Sequence, residues 1–244
     1  MTAMVRSVRG TILLAAGAAL FFLFTFTWAL VALVLAAVLP ERAGRRTGRL
    51  GAMWVFRAYL GTMQALGAWR LDLAELDELR GQGALIVAPN HPCLLDAVLV
   101  VSRLPDAVCV MKHSLLGNFL LGPAARLAHY VRNDTLLRLV KTAEEQLRDG
   151  GQLLLFPEGT RTVAPPTGPF TDAVGAVARR ARVPVQTVIL ESDSAFLGKG
   201  RPLLERPRFP VHYRARLGRR FDAPSDVRAF TAELESYFAQ RLGG

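Results

Sequence analysis

The chain has 244 residues, a length that accommodates one sizeable domain and a smaller appendage. Its formal charge of +10 favours an anionic partner, which means nucleic acid, a membrane surface or a phosphate-bearing substrate. No nucleic-acid-binding motif is present, so nucleic acid is not an expected partner. Two cysteines exclude a disulfide-rich scaffold, and four scattered histidines lack metal-ligand spacing, so neither a metal nor another cofactor is expected.

Residues 1–49 have the composition of a membrane anchor with basic flanks. No residue from 11 to 39 is charged, and this run exceeds the roughly 20 residues that a helix needs to cross the hydrocarbon core. A cleaved signal peptide would have an apolar region of only about 7–15 residues. Arginines are more numerous after the run than before it, which predicts the inner membrane with the following residues on the cytoplasmic side. The pattern leaves open whether the run spans the bilayer or re-enters it.

Residues 50–69 are predicted to form a separate helix that is either interfacial or packed on the core of the next domain. Apolar and aromatic residues recur there at helical spacing, among them Phe56, Tyr59 and Met63. Trp54 and Trp69 add the amphipathic rings that favour a membrane interface. The two interpretations are compatible, since they concern different faces of one helix.

From residue 70 to residue 244 the chain has the character of an α/β domain. Uniformly apolar runs separated by helical segments are typical of strands buried on both faces. The predicted strands lie near residues 70–73, 84–88, 107–111, 130–132, 152–156, 183–190 and 211–217, the last as an edge or late strand. A Leu-rich helix over 115–129 is predicted to be interrupted at Gly122, and Ser225 to cap a final helix. The fold class is α/β, with a mixed, largely parallel sheet flanked by helices and preceded by an N-terminal membrane helix.

A first polar cluster, residues 88–96, lies between two apolar elements and contains His91 and Asp96. A carboxylate beside an imidazole can fix its tautomer and stabilise its charged form, which is the minimum equipment of a general base. Pro92 excludes regular helix at this point and permits the turn that would bring the two side chains together. The alternative is a helix cap at Asn90 beside a surface histidine.

A second polar cluster, residues 156–161, directly follows a predicted buried strand. Glu158, Gly159, Thr160 and Arg161 supply a carboxylate, a flexible backbone, a hydroxyl and a guanidinium within four residues. A glycine turn with exposed amides beside an arginine suits a phosphate or another oxyanion. The alternative is a tight turn with a surface ion pair.

The two clusters, in this order and after an apolar segment, resemble the glycerophospholipid acyltransferase family of the lysophosphatidic acid (1-acylglycerol-3-phosphate O-acyltransferase) type. His91 and Asp96 match its His-x-x-x-x-Asp block, and Phe-Pro-Glu-Gly-Thr-Arg at 156–161 matches its acceptor block in full. Arg132 stands where the family has an Arg-ending block, and Val-Pro-Val at 183–185 is similar to a late block. The resemblance covers residues 70–190 and, in kind, the N-terminal anchor.

This resemblance implies the glycerolipid acyltransferase fold, with residues 70–244 as the catalytic domain. It implies transfer of a fatty acyl group from acyl-CoA or acyl carrier protein to the hydroxyl of a lysophospholipid at a membrane, most closely 1-acylglycerol-3-phosphate, giving phosphatidic acid. His91 would be the general base and Asp96 its orienting partner. The acceptor and its phosphate would be bound by Glu158, Gly159, Thr160, Arg161 and Arg132. Glu158 would accept from an acceptor hydroxyl or hold Arg161 in place.

One segment departs from the family pattern, and several alternatives stay open. The family has Phe-Lys-x-Gly after the acceptor block, whereas this chain has Phe-Thr-Asp-Ala at 170–173. The acceptor could therefore be a non-phosphate lipid or the reaction a specialised acylation, and a third alternative is a non-catalytic lipid-binding membrane protein. Cys93 is an alternative nucleophile. The basic stretch 199–220 suits anionic headgroups, an acidic acyl carrier protein, or plain solvent exposure.

Overall fold

A mixed β-sheet forms the centre of the fold in the computed structural model. The structure describes residues 2–163 and 166–243, so Met1, where the predicted anchor begins, and Gly244, where the predicted catalytic domain ends, lie outside the described residues. The strands are β1 (Trp69–Asp72), β2 (Leu85–Pro89), β3 (Ala107–Lys112), β4 (Val131–Asn133), β5 (Gln152–Leu154), β6 (Val185–Ser192) and β7 (Val211–Phe221). Their order in the sheet is β1-β7-β6-β2-β5-β3-β4. Every neighbouring pair is parallel except β6 and β7, which confirms the predicted mixed, largely parallel sheet.

Helices cover both faces of this sheet. They are α1 (Thr2–Val38), α2 (Glu41–Ala65), α3 (Asp96–Val101), α4 (His113–Leu116), α5 (Gly122–Leu127), α6 (Leu136–Arg148), α7 (Ala173–Ala181) and α8 (Val227–Leu242), with a 3₁₀ helix at Ala74–Leu79. One buried cluster joins α2 and α3 to one face of the sheet, and α1 and α5 lie on the same side. A second buried cluster joins α6, α7 and α8 to the opposite face.

Three local predictions are corrected by the structure. The strand β7 is the last of the described strands, which agrees with the late-strand alternative, but it lies between β1 and β6 and is therefore not an edge strand. Asp226, not Ser225, caps α8, because its carboxylate accepts from the amides of Arg228 and Ala229. The predicted Leu-rich helix is interrupted between Leu116 and Gly122, not at Gly122, which begins α5. Pro123 suits the first helical turn because it has a favourable φ and no N–H to satisfy.

The two N-terminal helices form an antiparallel pair, and α2 lies against the domain. Residues 41–65 form one helix, so it crosses residue 49, at which the sequence divides the anchor from the next segment. The ring of Tyr59 contacts Phe21 of α1 on one side and Trp69 of β1 on the other, with centroid distances of 5.2 Å in both cases. Trp54 is exposed, so one face of α2 packs on the core and another does not.

The apolar run lies in α1. Its segment Val8–Val38 is long and apolar enough to cross a membrane, with a mean hydropathy of 2.4 and 17% burial inside the structure over its most apolar window. One stripe of the helix packs on its neighbours, while large apolar side chains elsewhere are exposed, including Phe22, Leu23 and Val34. The predicted N-terminal apolar helix, a candidate membrane span, is thus present.

Close contact between α2 and the chain after α5 depends on Gly48. A Cβ at this position would lie 2.6 Å from the backbone nitrogen of Ala128, and backbone atoms cannot move aside easily. Gly61, in the same helix, has nothing within 4 Å of a Cβ.

We expect Gly48→Ala to lower the free energy of unfolding by about 1–3 kcal/mol, since the added methyl overpacks the contact. Gly61→Ala is the matched control and should raise it by about 0.5–1 kcal/mol through helix propensity. Denaturant unfolding of the detergent-solubilised protein measures both. Equal stabilisation by the two substitutions would contradict the packing of α2 on Ala128.

The direction of the strands places several loops together. Strands β2, β3, β4, β5 and β6 run the same way, so their carboxyl ends share one edge of the sheet. Ligands of open α/β sheets bind at that edge, in the crevice outside the strand ends. Both polar clusters follow strands that end there, since residues 90–96 follow β2 and residues 155–163 follow β5.

Candidate active site

The side chains of His91 and Asp96 are in contact at this edge. The Nδ1 atom of His91 lies 2.8 Å from Oδ2 of Asp96, which confirms the hydrogen bond expected from the sequence. Asp96 is the first residue of α3 and is 1% exposed. Burial raises the pKa of its carboxyl, and the hydrogen bonds from His91 and from the Cys93 amide oppose that rise. The imidazole is therefore held on one nitrogen by a buried, well-bonded carboxyl group.

Asn90 has a different position from the one that the helix-cap alternative requires. Its side-chain amide donates to the carbonyl of Leu190 at 2.9 Å and accepts from the Leu190 amide at 2.7 Å. This double hydrogen bond joins the start of the loop to β6, the neighbouring strand. The helix-cap alternative is wrong, and the residue before His91 instead fixes the loop to the sheet.

Cys93 lies beside the same carboxylate, and its surroundings oppose a nucleophilic role. Its thiol donates to Oδ1 of Asp96 at 3.1 Å and is buried. Burial, and after it the charge of Asp96, raises the pKa of this thiol well above its usual value. Nucleophilic cysteines need an accessible thiolate in an electropositive setting, so the geometry favours Cys93 as a structural partner of Asp96.

The buried Glu158 links the second cluster to the first. Its carboxylate accepts from the amide of His91 at 3.3 Å, from the hydroxyl of Thr162 at 2.7 Å and from the amide of Gly168 at 2.8 Å. The Thr162 amide in turn donates to the carbonyl of His91 at 2.8 Å. Glu158 is thus bonded to the backbone of the general-base candidate, a contact that neither sequence-based role for it included.

Phe156 covers one face of the imidazole. The two rings stack with a centroid distance of 3.8 Å and an interplanar angle of 18°. In the sequence Phe156 is only the end of a strand and the start of the acceptor block. Because β5 pairs directly with β2 in the sheet, this end lies beside the loop that carries His91.

Arg161 contacts the loop after β6. Its guanidinium donates to the carbonyls of Leu197 and Gly198, at 3.0 Å each. The predicted alternative, in which Glu158 holds Arg161, is not what the structure shows, since Glu158 is bonded to His91, Thr162 and Gly168. The neighbouring Thr160 hydroxyl accepts from Nζ of Lys199 at 3.1 Å, and Gly159 has a φ of +65°, a conformation that suits glycine.

Arg132 lies apart from this group. It is on β4, three strands from β2 in the sheet, which is about 14 Å at ordinary strand spacing. Its guanidinium contacts the imidazole of His113. The structure therefore brings together His91, Asp96, Glu158 and the backbone at Arg161. Arg132 lies at the same edge of the sheet but farther from His91.

The segment that departs from the family pattern is held by α8. The amide of Phe170 donates to Glu235 at 3.0 Å, and the hydroxyl of Thr231 donates to Asp172 at 2.8 Å. Thr171, at the position of the family's lysine, donates through its hydroxyl to the carbonyl of Pro157 at 3.1 Å. Across residues 2–163 and 166–243, no three His, Cys, Asp or Glu side chains are grouped as metal ligands would be.

A buried carboxyl group that orients an imidazole, beside a glycine turn and an arginine at the carboxyl edge of an α/β sheet, defines a site that can activate a hydroxyl. Comparison with known families matches residues 70–191 to the Acyltransferase family. That match covers half of the chain, and the chain belongs to the acyltransferase family. The family resemblance drawn from the motifs is confirmed, as is the prediction of an acyltransferase enzyme.

The fold is also similar to a solved structure. The crystal structure of the 1-acyl-sn-glycerophosphate (LPA) acyltransferase PlsC from Thermotoga maritima matches with a TM-score of 0.74 and 16% sequence identity. The match covers 98% of this chain and 96% of that chain, so it includes both N-terminal helices. It confirms the predicted fold. The sequence has no match among curated proteins.

Proposed function

We propose that the protein transfers a fatty acyl group from acyl-CoA or acyl carrier protein to the free hydroxyl of 1-acylglycerol-3-phosphate, giving phosphatidic acid. The observation that carries the proposal is the His91–Asp96 pair bonded through Glu158 to the acceptor motif. The acceptor is that of the structurally similar PlsC. The direct experiment is to identify, by mass, the product formed from a labelled acyl donor and a set of lysolipids.

His91 acts as the general base in this proposal. Its Nδ1 faces Asp96, so Nε2 is the nitrogen that takes the proton from the acceptor hydroxyl. The hydroxyl oxygen attacks the thioester carbon, the C–S bond breaks as the tetrahedral intermediate collapses, and the imidazolium returns the proton to the departing sulfur. The Asp96 carboxylate stabilises the imidazolium between these two steps. Phe156 and Glu158 keep the ring and its backbone in place.

Arg161 binds the acceptor phosphate in this proposal. Its bonds to the carbonyls of Leu197 and Gly198 hold the guanidinium in place next to the Gly159 turn. A delocalised cation with several donors matches the geometry of a phosphate. Arg132 lies farther from His91 along the sheet edge, so in this proposal it contributes less than Arg161 to binding of the phosphate.

We expect Arg161→Ala to raise KM for a phosphate-bearing acceptor by about tenfold or more, through loss of a charge-assisted contact worth about 1.5–3 kcal/mol. Arg132→Ala is the matched control at the same edge and should raise KM less. Assays with phosphate-bearing and neutral lysolipids separate the effects. An equal change in KM for both kinds of acceptor would refute phosphate binding by Arg161.

A second acceptor class, a non-phosphate lipid, has one observation in its favour. Thr171 occupies the position of the family's lysine, and its hydroxyl is bonded to Pro157. A site without that cation has less positive charge for a phosphate. The product analysis distinguishes the two, because the non-phosphate alternative requires a neutral acceptor to be acylated faster than 1-acylglycerol-3-phosphate.

We propose that the protein is attached to the membrane by α1 lying along the bilayer surface. Both halves of α1 contact the rest of the protein, since Gly10 lies beside Arg206 and Trp28 lies against Gly51 of α2. Its apolar segment is about 46 Å long at 1.5 Å per residue, against a hydrocarbon thickness of about 30 Å. A helix packed along its length on a domain in water cannot also cross the bilayer.

An N-terminal tag should therefore lie on the same side of the membrane as the catalytic domain, and we propose the cytoplasmic side for both. Protease or impermeant-label accessibility in oriented vesicles measures the side of each. A tag on the side opposite to residues 70–244 would show that α1 crosses the bilayer and contradict its surface position.

A further inference from the structure

The loop after β6 comprises residues 193–210. Its root, Leu197 and Gly198, is bonded to both motifs of the site. The amide of Leu94, in the His91 loop, donates to the carbonyl of Leu197 at 3.1 Å. Arg161, of the acceptor motif, donates to Leu197 and Gly198. Gly198 also forms an antiparallel bridge with Cys93. A change in the position of this loop would therefore also move the segments that carry His91 and Arg161.

The tip of the same loop, residues 201–208, presents apolar side chains to the outside. Leu203 and Leu204 are adjacent and are 63% and 72% exposed. Neighbouring exposed leucines at a loop tip are unfavourable in water, and contiguous exposed apolar surface marks an interaction site. The residues around them are cationic, since Lys199, Arg201, Arg206 and Arg208 accompany one acid in this part of the loop, Glu205.

Several of the cations that follow on β7 are paired with carboxylates. On the strand, Arg214 and Arg216 pair with Asp72, and Arg219 pairs with Glu233 at 2.8 Å. Arg220 of the strand is bonded to Gln82, and one loop cation, Arg201, pairs with Glu205 at 3.1 Å. With four cations and one acid, residues 199–208 combine excess positive charge with exposed leucines.

The loop tip lies beside the N-terminal part of α1. The Arg206 guanidinium is 3.4 Å from the hydroxyl of Thr11, and a Cβ at Gly10 would lie 2.9 Å from the Arg206 side chain. Leu197 and Phe209 pack into the buried cluster on the side of the sheet that carries α1 and α2. The exposed leucines and the exposed apolar face of α1 are thus on the same side of the protein.

We infer that the loop tip 201–208 is a membrane-insertion element that recognises an anionic bilayer surface. Leu203 and Leu204 enter the apolar layer, and the flanking arginines contact lipid phosphates at headgroup depth. Because the root is bonded to Leu94 and Arg161, insertion places the acceptor motif at the level where a lysophospholipid presents its headgroup. The inference rests on the proposed action at a membrane and names the surface that brings the site to it.

A probe at residue 204 tests this inference in the full-length protein. Leu204→Cys, labelled with a polarity-sensitive fluorophore, is reconstituted into phosphatidylcholine vesicles with and without phosphatidylglycerol. Cys93 and Cys109 are buried, so labelling at 204 is selective. Leu137→Cys is the matched control, since Leu137 is 81% exposed on α6, on the opposite face of the sheet.

Insertion predicts a blue-shifted emission at residue 204 and quenching by a lipid-attached quencher, both stronger in anionic vesicles, with neither at residue 137. Equal, water-like emission at both positions would overturn the inference. Emission at 204 that stays water-like in vesicles and shifts only when acyl carrier protein is added would assign the loop to the donor protein and overturn it as well.

A kinetic measurement separates this inference from the proposed function. In the double variant Leu203→Ser/Leu204→Ser, kcat/KM for a vesicle-embedded acceptor should fall about three- to tenfold relative to that for a short-chain, monomeric acceptor. An unchanged ratio would overturn the inference while leaving acyl transfer established. Loss of all acylation in the unsubstituted protein would instead refute the proposed function.

Discussion

His91→Ala is expected to reduce kcat for acyl transfer by about 10²–10⁴-fold, the usual contribution of a general base. The imidazole is the group whose free nitrogen can take a proton, since its Nδ1 is 2.8 Å from the buried Asp96. KM for both substrates should change little, because the base acts on the reacting hydroxyl and not on the rest of either substrate. Steady-state kinetics with saturating donor measure this split.

Two further variants distinguish chemistry from folding at this position. His91→Gln keeps a hydrogen-bonding side chain near Asp96 but has no basic nitrogen, so it should be as inactive as the alanine variant. His212→Ala is the control, because His212 is an exposed histidine on β7 with Asp193 as its neighbour, and its activity should be that of the unsubstituted protein. Full activity in either His91 variant would contradict the mechanism.

Asp96→Asn is expected to reduce kcat by about 10²–10⁴-fold, the usual contribution of acid–base catalysis, with little loss of stability. Oδ2 of Asp96 accepts from both the imidazole and the Cys93 amide, and an asparagine carbonyl oxygen at that position can accept from both. Its amide group then occupies the place of Oδ1 beside the Cys93 thiol. The geometry is retained, and the negative charge that stabilises the imidazolium is lost.

Asp96→Ala provides the contrast with Asp96→Asn. It removes the acceptor for the buried Cys93 amide and should lower the free energy of unfolding by about 1–3 kcal/mol, in addition to the loss of activity. Kinetics and denaturant unfolding together separate the two variants. An active Asp96→Asn variant would show that Asp96 serves only to shape the loop.

The local part of the site can be predicted from the sequence. His91 and Asp96 are five residues apart, and a proline after the histidine is enough to indicate the turn that brings them together. Uniformly apolar runs likewise predict strands buried on both faces without knowledge of their neighbours. The acceptor motif is recognisable because its six residues are contiguous.

The contacts between distant segments could not be predicted, because they depend on the order of the strands. Asn90 and Leu190 are 100 residues apart and meet because β2 pairs with β6. Glu158 reaches the amide of His91 because β5 pairs with β2 on its other side. Single residues carry no sign of these partners. The partners predicted for Glu158 were an acceptor hydroxyl or Arg161, whereas in the structure they are two backbone amides and the Thr162 hydroxyl.

The position of α2 shows a similar effect on domain boundaries. Its composition changes at about residue 50, from arginine-rich to aromatic, which suggests two segments. The helix continues because both parts pack on the domain: Arg49 donates to Gln146 at 2.6 Å, and Tyr59 contacts Trp69. Tertiary contacts on one face of the helix thus outweigh the change in its average composition.

Identification of the product is the direct test of acyl transfer to 1-acylglycerol-3-phosphate at His91. Membranes containing the full-length protein are incubated with labelled acyl-CoA or acyl carrier protein and with 1-acylglycerol-3-phosphate or its neutral analogue, and the lipids are analysed by mass. We expect the unsubstituted protein to form labelled phosphatidic acid from the phosphate-bearing acceptor and His91→Ala to form none. Labelled product from the neutral acceptor alone would contradict the proposed acceptor. Equal yields from the unsubstituted protein and His91→Ala would contradict the role of His91.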